Sequence, residues 1–191
     1  PSLSNQPATA SLLRQQQKVF TSRSGGVHYR VRLIGNSEPS WVAQADPDHA
    51  TRQKPDPSDS VDNHVGYYFD LNPGERVIGD VMIRGGNLLA IGFMPSKDPC
   101  GPGGDSIFME VNAFTGGTTG GTLFDISGDR EIDDRDLVRI DFDGDGISEA
   151  LAPCGIGFMG NLQPPSILKL GNNPKNPLEV KYMSSSTGRI E

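Results

Sequence analysis

Residues 66–111 read GYYFDLNPGERVIGDVMIRGGNLLAIGFMPSKDPCGPGGDSIFMEV. Apolar runs recur at short intervals: GYYFDL (66–71), ERVIGDVMI (75–83), NLLAIGFM (87–94) and SIFMEV (106–111). NPG, RGG and DPCGPGG divide them, and Gly/Pro clusters of that kind punctuate strands. The stretch predicts short antiparallel strands and an all-β fold. Glycine and proline, 24 and 15 of 191 residues, extend that expectation to the rest of the chain.

Outward from this stretch, 27–34 (VHYRVRLI) alternates apolar and polar and predicts a strand with one wet face. SILKL (166–170) and PLEVKYM (177–183) predict two more strands. Residues 9–19 (TASLLRQQQKV) predict one short helix, with Thr9 as its N-cap. Residues 1–8 read as a disordered start, and 9–191 as a single β-rich domain. Within it, 35–64 is polar and Pro/Asp-rich, a long loop or insertion that carries the only tryptophan, Trp41.

Acidity is concentrated in 125–149, DISGDREIDDRDLVRIDFDGDGISE. Ten carboxylates face three arginines there, a balance of −7, which is the net charge of the whole chain. Charges so crowded repel unless a cation sits among them. The order of the residues points to calcium, which takes oxygens from alternate positions of a curled loop. With Asp125 first, Ser127 and Asp129 fall third and fifth. Glu131 falls seventh, where a backbone carbonyl serves, and Asp133 and Asp136 fall ninth and twelfth. One position departs: Arg130 stands sixth, where the turn favours glycine at positive φ. The alternative for this loop is a solvated acidic turn. A second run, Asp141, Asp143, Asp145 and Glu149, repeats the spacing with Gly146 sixth and a non-ligating Ala152 twelfth. It reads as a second calcium loop or as a tight Asp-Gly turn between strands.

Other chemistry finds less support. Cys100 and Cys154 lie in Pro/Gly-rich turns and form neither a CxxC motif nor a structural zinc site. Calcium loops suit an oxidising, extracellular setting, where the two would pair as a disulfide; the other reading is two unrelated buried thiols. Gly155-Ile-Gly157-Phe-Met-Gly160 matches GxGxxG, yet NLQPPS follows it, and that cannot start the helix a dinucleotide needs. Gly104-Asp105-Ser106 lacks the glycines and the histidine context of a serine nucleophile. The negative charge opposes nucleic-acid binding, and no run approaches the ~20 apolar residues of a membrane span.

Several elements, taken in order, resemble the C-terminal region of the PilC/PilY family of type IV pilus biogenesis factors and tip-associated adhesins. They are the YYFDL strand, Gly74-Glu75-Arg76-Val77, Arg84-Gly85-Gly86, the segment from Pro95 to Cys100, and Met109-Glu110-Val111-Asn112 with its TGG turn. The FD-x-S-x-D loop and the terminal SSSTGRI continue the match, which spans roughly 65–191 and more loosely 9–70. The segment FMEVNAFTG (108–116) is also similar to the strand-turn signature of quinoprotein-type propeller blades.

The resemblance implies part of a modified β-propeller with an EF-hand-like calcium loop. It places the ligands at Asp125, Ser127, Asp129, Glu131 (carbonyl), Asp133 and, as a bidentate candidate, Asp136. It further implies calcium occupancy linked to pilus extension and retraction (twitching motility). Partners would be pilus-tip and minor pilin components and host or abiotic surfaces. The location would be secreted or cell-surface, at the pilus tip or outer membrane, after export through the periplasm. On this reading the chain is not an enzyme. Two other classes stand beside it: a calcium-stabilised carbohydrate- or protein-binding module, and a quinoprotein-like propeller enzyme.

Overall fold

The computed structural model describes residues 10–24, 27–39, 63–97, 103–170 and 178–187. The expected disordered start, most of the 35–64 insertion with Trp41, and Cys100 lie outside the described residues. What is described is all-β, with one 3₁₀ turn at Asp134–Asp136.

A seven-stranded sheet forms the body. Its order is β2 (Gln17–Ser24), β3 (Val27–Ile34), β11 (Gly155–Met159), β8 (Gly104–Asn112) and β7 (Asn87–Pro95). The far edge of β7 is shared by two short strands, β5 (Arg76–Val77) and β6 (Met82–Arg84). All these pairs are antiparallel. Three two-stranded units surround the sheet. β1 (Ala10–Arg14) runs parallel to β4 (Asn63–Tyr68). β9 (Val138–Ile140) and β10 (Glu149–Leu151) pair as one antiparallel unit, and β12 (Ser166–Leu170) and β13 (Leu178–Tyr182) as another.

Register assigns each row of the sheet to a face. Phe20, Val31, Ile156, Phe108 and Ile91 stand opposite one another in one row. Their face is covered by Phe124, Ile126 and Val138 toward β3, and by Leu162 and Met183 toward β7. The next row is Val19, Arg32, Gly155, Met109 and Ala90, and Phe69 and Leu71 pack against that side. Both faces are therefore buried, which explains why the central strands read as nearly continuous apolar runs.

The wet face expected for β3 is not found at Arg32. Arg32 is fully buried, with its guanidinium 2.5 Å from the carboxylate of Glu75 and in contact with Met109 Sδ. Glu75 comes from the NPGE turn (72–75), and it also accepts the Asn72 N–H at 3.1 Å. Glycine makes room for this crossing. A Cβ on Gly92 would stand 2.0 Å from Glu75 Oε1, and one on Gly157 would stand 2.8 Å from Arg30 Cβ. The glycines of the GxGxxG match thus serve close strand approach, with arginine side chains laid across β11.

The helix expected over 9–19 is also absent. Residues 10–14 form β1 and 17–19 begin β2, while Thr9, the expected N-cap, lies outside the described residues. Gln15 between them is buried; its amide donates to the carbonyls of Ser37 (2.6 Å) and Thr115 (2.8 Å) and accepts the Ser37 N–H (3.2 Å). Pairing with β3 and β4 outweighs a weak helical propensity, which is worth only tenths of a kcal/mol per residue.

A buried ion pair that loses one partner leaves an uncompensated charge. Glu75→Ala is expected to lower unfolding free energy by about 3–5 kcal/mol. Urea denaturation of the two proteins checks this; a midpoint unchanged by the substitution contradicts it.

Candidate metal centre

Both acidic runs flank β9. The first, 125–136, enters it through the 3₁₀ turn, and the second, 141–148, is the β9–β10 hairpin connection. Each is anchored to the sheet by its second residue. Ile126 is buried in the cluster of Val31, Leu33 and Ile156, and Phe142 packs against the same cluster. Lys18 sits 5.1 Å over the Phe142 ring and donates to the Asp141 carbonyl at 3.0 Å.

The two runs adopt the same turn. In the first, Asp125 accepts the N–H groups of Gly128 (2.6 Å) and Arg130 (2.8 Å). In the second, Asp141 accepts those of Gly144 (2.6 Å) and Gly146 (3.0 Å). Asp129 accepts from Glu131 N–H at 2.9 Å, and Asp145 from Ile147 N–H at 2.7 Å. The φ angles correspond too: 79° at Gly128 and 87° at Gly144, then 72° at Arg130 and 90° at Gly146. Arg130, foreseen from its sixth position, is the only non-glycine at positive φ among the described residues.

The loops differ in what their carboxylates face. In the second, Asp141, Asp143, Asp145 and Glu149 each offer an oxygen, and these atoms lie within 4.8 Å of one another. Glu149 also accepts the Phe142 N–H at 3.0 Å, which draws its carboxylate across the loop and supplies the closure that Ala152 cannot. Among the described residues no basic side chain pairs with these four. An all-oxygen, strongly anionic set suits a hard divalent cation, calcium above all, and not zinc. The donors fit the ion the sequence suggests.

In the first loop, Arg135 stands among the expected ligands. Its Nη1 lies 2.6 Å from Asp129, and its Nη2 lies 2.7 Å from Glu131 and 2.6 Å from Asp133. Ser127 Oγ donates to Asp125 at 3.2 Å. Asp136 is fully buried and latches the loop: Oδ1 accepts the N–H groups of Ile126 (2.9 Å) and Ser127 (2.8 Å), and Oδ2 accepts that of Asp133 (3.0 Å). With three acceptor positions so used, it lacks the free lone pairs of a bidentate ligand. The sequence reading missed Arg135. Its position four residues after Glu131 and two after Asp133 was the available signal.

Cys154 is a free, buried thiol whose Sγ donates to the Arg32 carbonyl at 3.3 Å. Burial pushes its pKa up to about 12. It fits the second reading of the cysteines, a buried thiol; Cys100 lies outside the described residues.

No family model matches the sequence. The type IV pilus biogenesis factor PilY1 of Pseudomonas aeruginosa (strain UCBPP-PA14) is 31% identical over 110 residues, 55% of this chain and 9% of PilY1. The crystal structure of the P. aeruginosa PilY1 C-terminal domain superposes with a TM-score of 0.58 at 18% identity, covering 94% of this chain and 31% of that one. The chain has the fold of the PilY1 C-terminal domain. It spans under a tenth of the full PilY1 sequence, so PilY1's pilus role belongs to a much longer protein. Among the described residues no helix is long and apolar enough to cross a membrane.

Carboxylate pKa values give the first loop a pH signature. Desolvation acts upward on Asp125 and is the largest single influence, but hydrogen bonds from Gly128, Arg130, Ser127 and Asp129 together outweigh it and hold its pKa below the usual value. The Arg135 side chain does the same for Asp133. A folded-state pKa below the unfolded one contributes stability above the unfolded value of about 3.9, and that stability is lost as pH falls through the folded pKa. The Gly128 and Arg130 amide resonances are therefore expected to hold their positions down to about pH 4 and to move only below it. Movement centred near pH 5 contradicts this.

Proposed function

We propose that this domain is a calcium-binding module of a type IV pilus biogenesis or tip-adhesin protein. The convergence of Asp141, Asp143, Asp145 and Glu149 carries the metal half of the reading. The similarity to PilY1 in sequence and fold supports the pilus half. Within such a protein the seven-stranded sheet and its satellites form part of a modified propeller. The domain acts by binding, at the cell surface or pilus tip, and not by catalysis. Its partners are pilus components and the surfaces to which pili attach.

Calcium would act by neutralisation. Without it, four carboxylates crowd the β9–β10 connection and repel. With it, the loop is fixed, and β9 is held against the sheet through Val138. A pilus partner that prefers the filled loop must raise calcium affinity by the same factor that calcium raises partner affinity. That linkage is how occupancy would bias pilus extension against retraction.

Calorimetric titration of chelator-treated protein is expected to give a calcium site that Asp145→Asn abolishes. Free calcium at a hundredfold excess over Kd should add about 2.7 kcal/mol of stability. No calcium heat, together with a melting temperature indifferent to chelator, leaves only an acidic turn. The motility link is tested with Asp145→Asn in the full-length protein of a piliated strain. The response of twitching spread over the calcium range that fills the second loop should disappear, and spread that responds to calcium as before sinks that part of the proposal.

A further inference from the structure

The same turn occurs twice, with Asp125 and Asp141 as equivalent first residues. In the second copy the carboxylates face one another. In the first, the guanidinium of Arg135 touches Asp129, Glu131 and Asp133 together. These include the fifth and ninth residues of the loop, whose equivalents in the second copy are Asp145 and Glu149. The Arg135 side chain is half-exposed, but the backbone that carries it is held. It sits in the middle of the 3₁₀ turn Asp134–Asp136, whose capping box joins Asp133 and Asp136. Its own backbone N–H donates to Asp133 at 2.8 Å and its Nε to the same carboxylate at 2.9 Å. The buried Asp136 that fixes this turn also fixes the loop's entry, through Ile126 and Ser127. The side chain and the carboxylates it meets are thus set by one piece of backbone.

Resting on the calcium reading of these loops, we infer that Arg135 is a tethered cation that competes with a metal ion for the first loop. A guanidinium keeps its charge at any physiological pH, so it yields the loop only by swinging out. An ion entering beside it would meet a like charge within a few ångströms and would find the Asp129 and Asp133 oxygens already engaged. The two loops therefore differ in calcium response by construction. The second fills first. The first fills at higher calcium, and its filling releases Arg135 to solvent, a local change of surface charge that the second loop does not produce.

The test uses protein carrying Asp145→Asn throughout, so that only the first loop can bind, and compares it with and without Arg135→Gln. Glutamine keeps polarity and much of the length but removes the charge. First-loop calcium affinity is expected to rise by roughly tenfold or more on Arg135→Gln, tenfold being the effect of about 1.4 kcal/mol. Affinity unchanged within about twofold overturns the inference. So does absence of binding in both proteins. Failure of the second loop to bind calcium would count against the proposed function and leave this comparison readable. A measurement on the unmutated protein guards against misfolding of the variant. In a calcium titration followed by NMR, the Arg135 Nε–H resonance should move together with the Gly128 and Arg130 amides, after the Gly144 and Gly146 amides have saturated. First-loop amides that report filling while the Arg135 resonance stays in place overturn it.

Discussion

Ten carboxylates in twenty-five residues have to be laid against an apolar sheet, and that constraint shapes the region. The chain meets it first by turning carboxylates inward on its own amides. Asp125, Asp136, Asp141 and Glu149 each accept at least one backbone N–H and so define the turns. What remains is charge that amides cannot neutralise. In the first loop an arginine from the adjoining turn meets it. In the second no described basic side chain does, and four oxygens are left converging. Two copies of one backbone motif thus come to different electrostatic solutions because of a single side chain.

The sheet beneath depends on a related solution. Arg32 and Glu75 are both buried, and the pair survives because each meets the other within hydrogen-bond distance while glycines at 92 and 155 let their side chains pass. The pair ties the NPGE turn to β3, across β11, β8 and β7. On the opposite face, Phe108 and Phe124 meet edge-on with ring centroids 6.1 Å apart. Phe124 directly precedes Asp125, so the apolar contact that covers the sheet also sets where the acidic window begins. Glu110, paired with Lys181 at 2.5 Å, fastens the β12–β13 unit to the same face.

Much of this was legible in the sequence. Strands divided by NPG and RGG emerged close to where the turn residues placed them, because glycine and proline limit the backbone locally; but the GYYFDL strand ends at Tyr68 and pairs in parallel with β1, and ERVIGDVMI splits into β5 and β6. Arg130 at positive φ was legible for the same reason, since the loop's hydrogen-bond geometry dictates the sixth residue's conformation. Most of the misses have a different cause. Residues 9–19 carry helix-compatible side chains, and only the distant carbonyls of Ser37 and Thr115 make Gln15 a buried strand-linking residue. Arg32 reads as a solvent-facing position until Glu75, 43 residues away, is known to cover it. Asp136 reads as a ligand and Arg135 only as one of three arginines in the window, yet the fold makes one a latch and the other a counter-ion. GIGFM (155–159) reads as a broken nucleotide motif, yet its glycines are what a crowded central strand requires. For Gln15, Arg32 and the β11 glycines the decisive partner lies outside the window that local pattern can see; for Arg135 and Asp136 it lies within ten residues.

The account's central claim is that the carboxylates of the β9–β10 connection hold an ion while the first loop holds Arg135. Calcium anomalous diffraction from crystals grown at low free calcium tests it directly. The account predicts a peak among Asp141, Asp143, Asp145 and Glu149, with oxygens at about 2.3–2.6 Å, and the Arg135 guanidinium seated between Asp129 and Asp133. A peak in the first loop beside a seated Arg135, with none in the second, would contradict it.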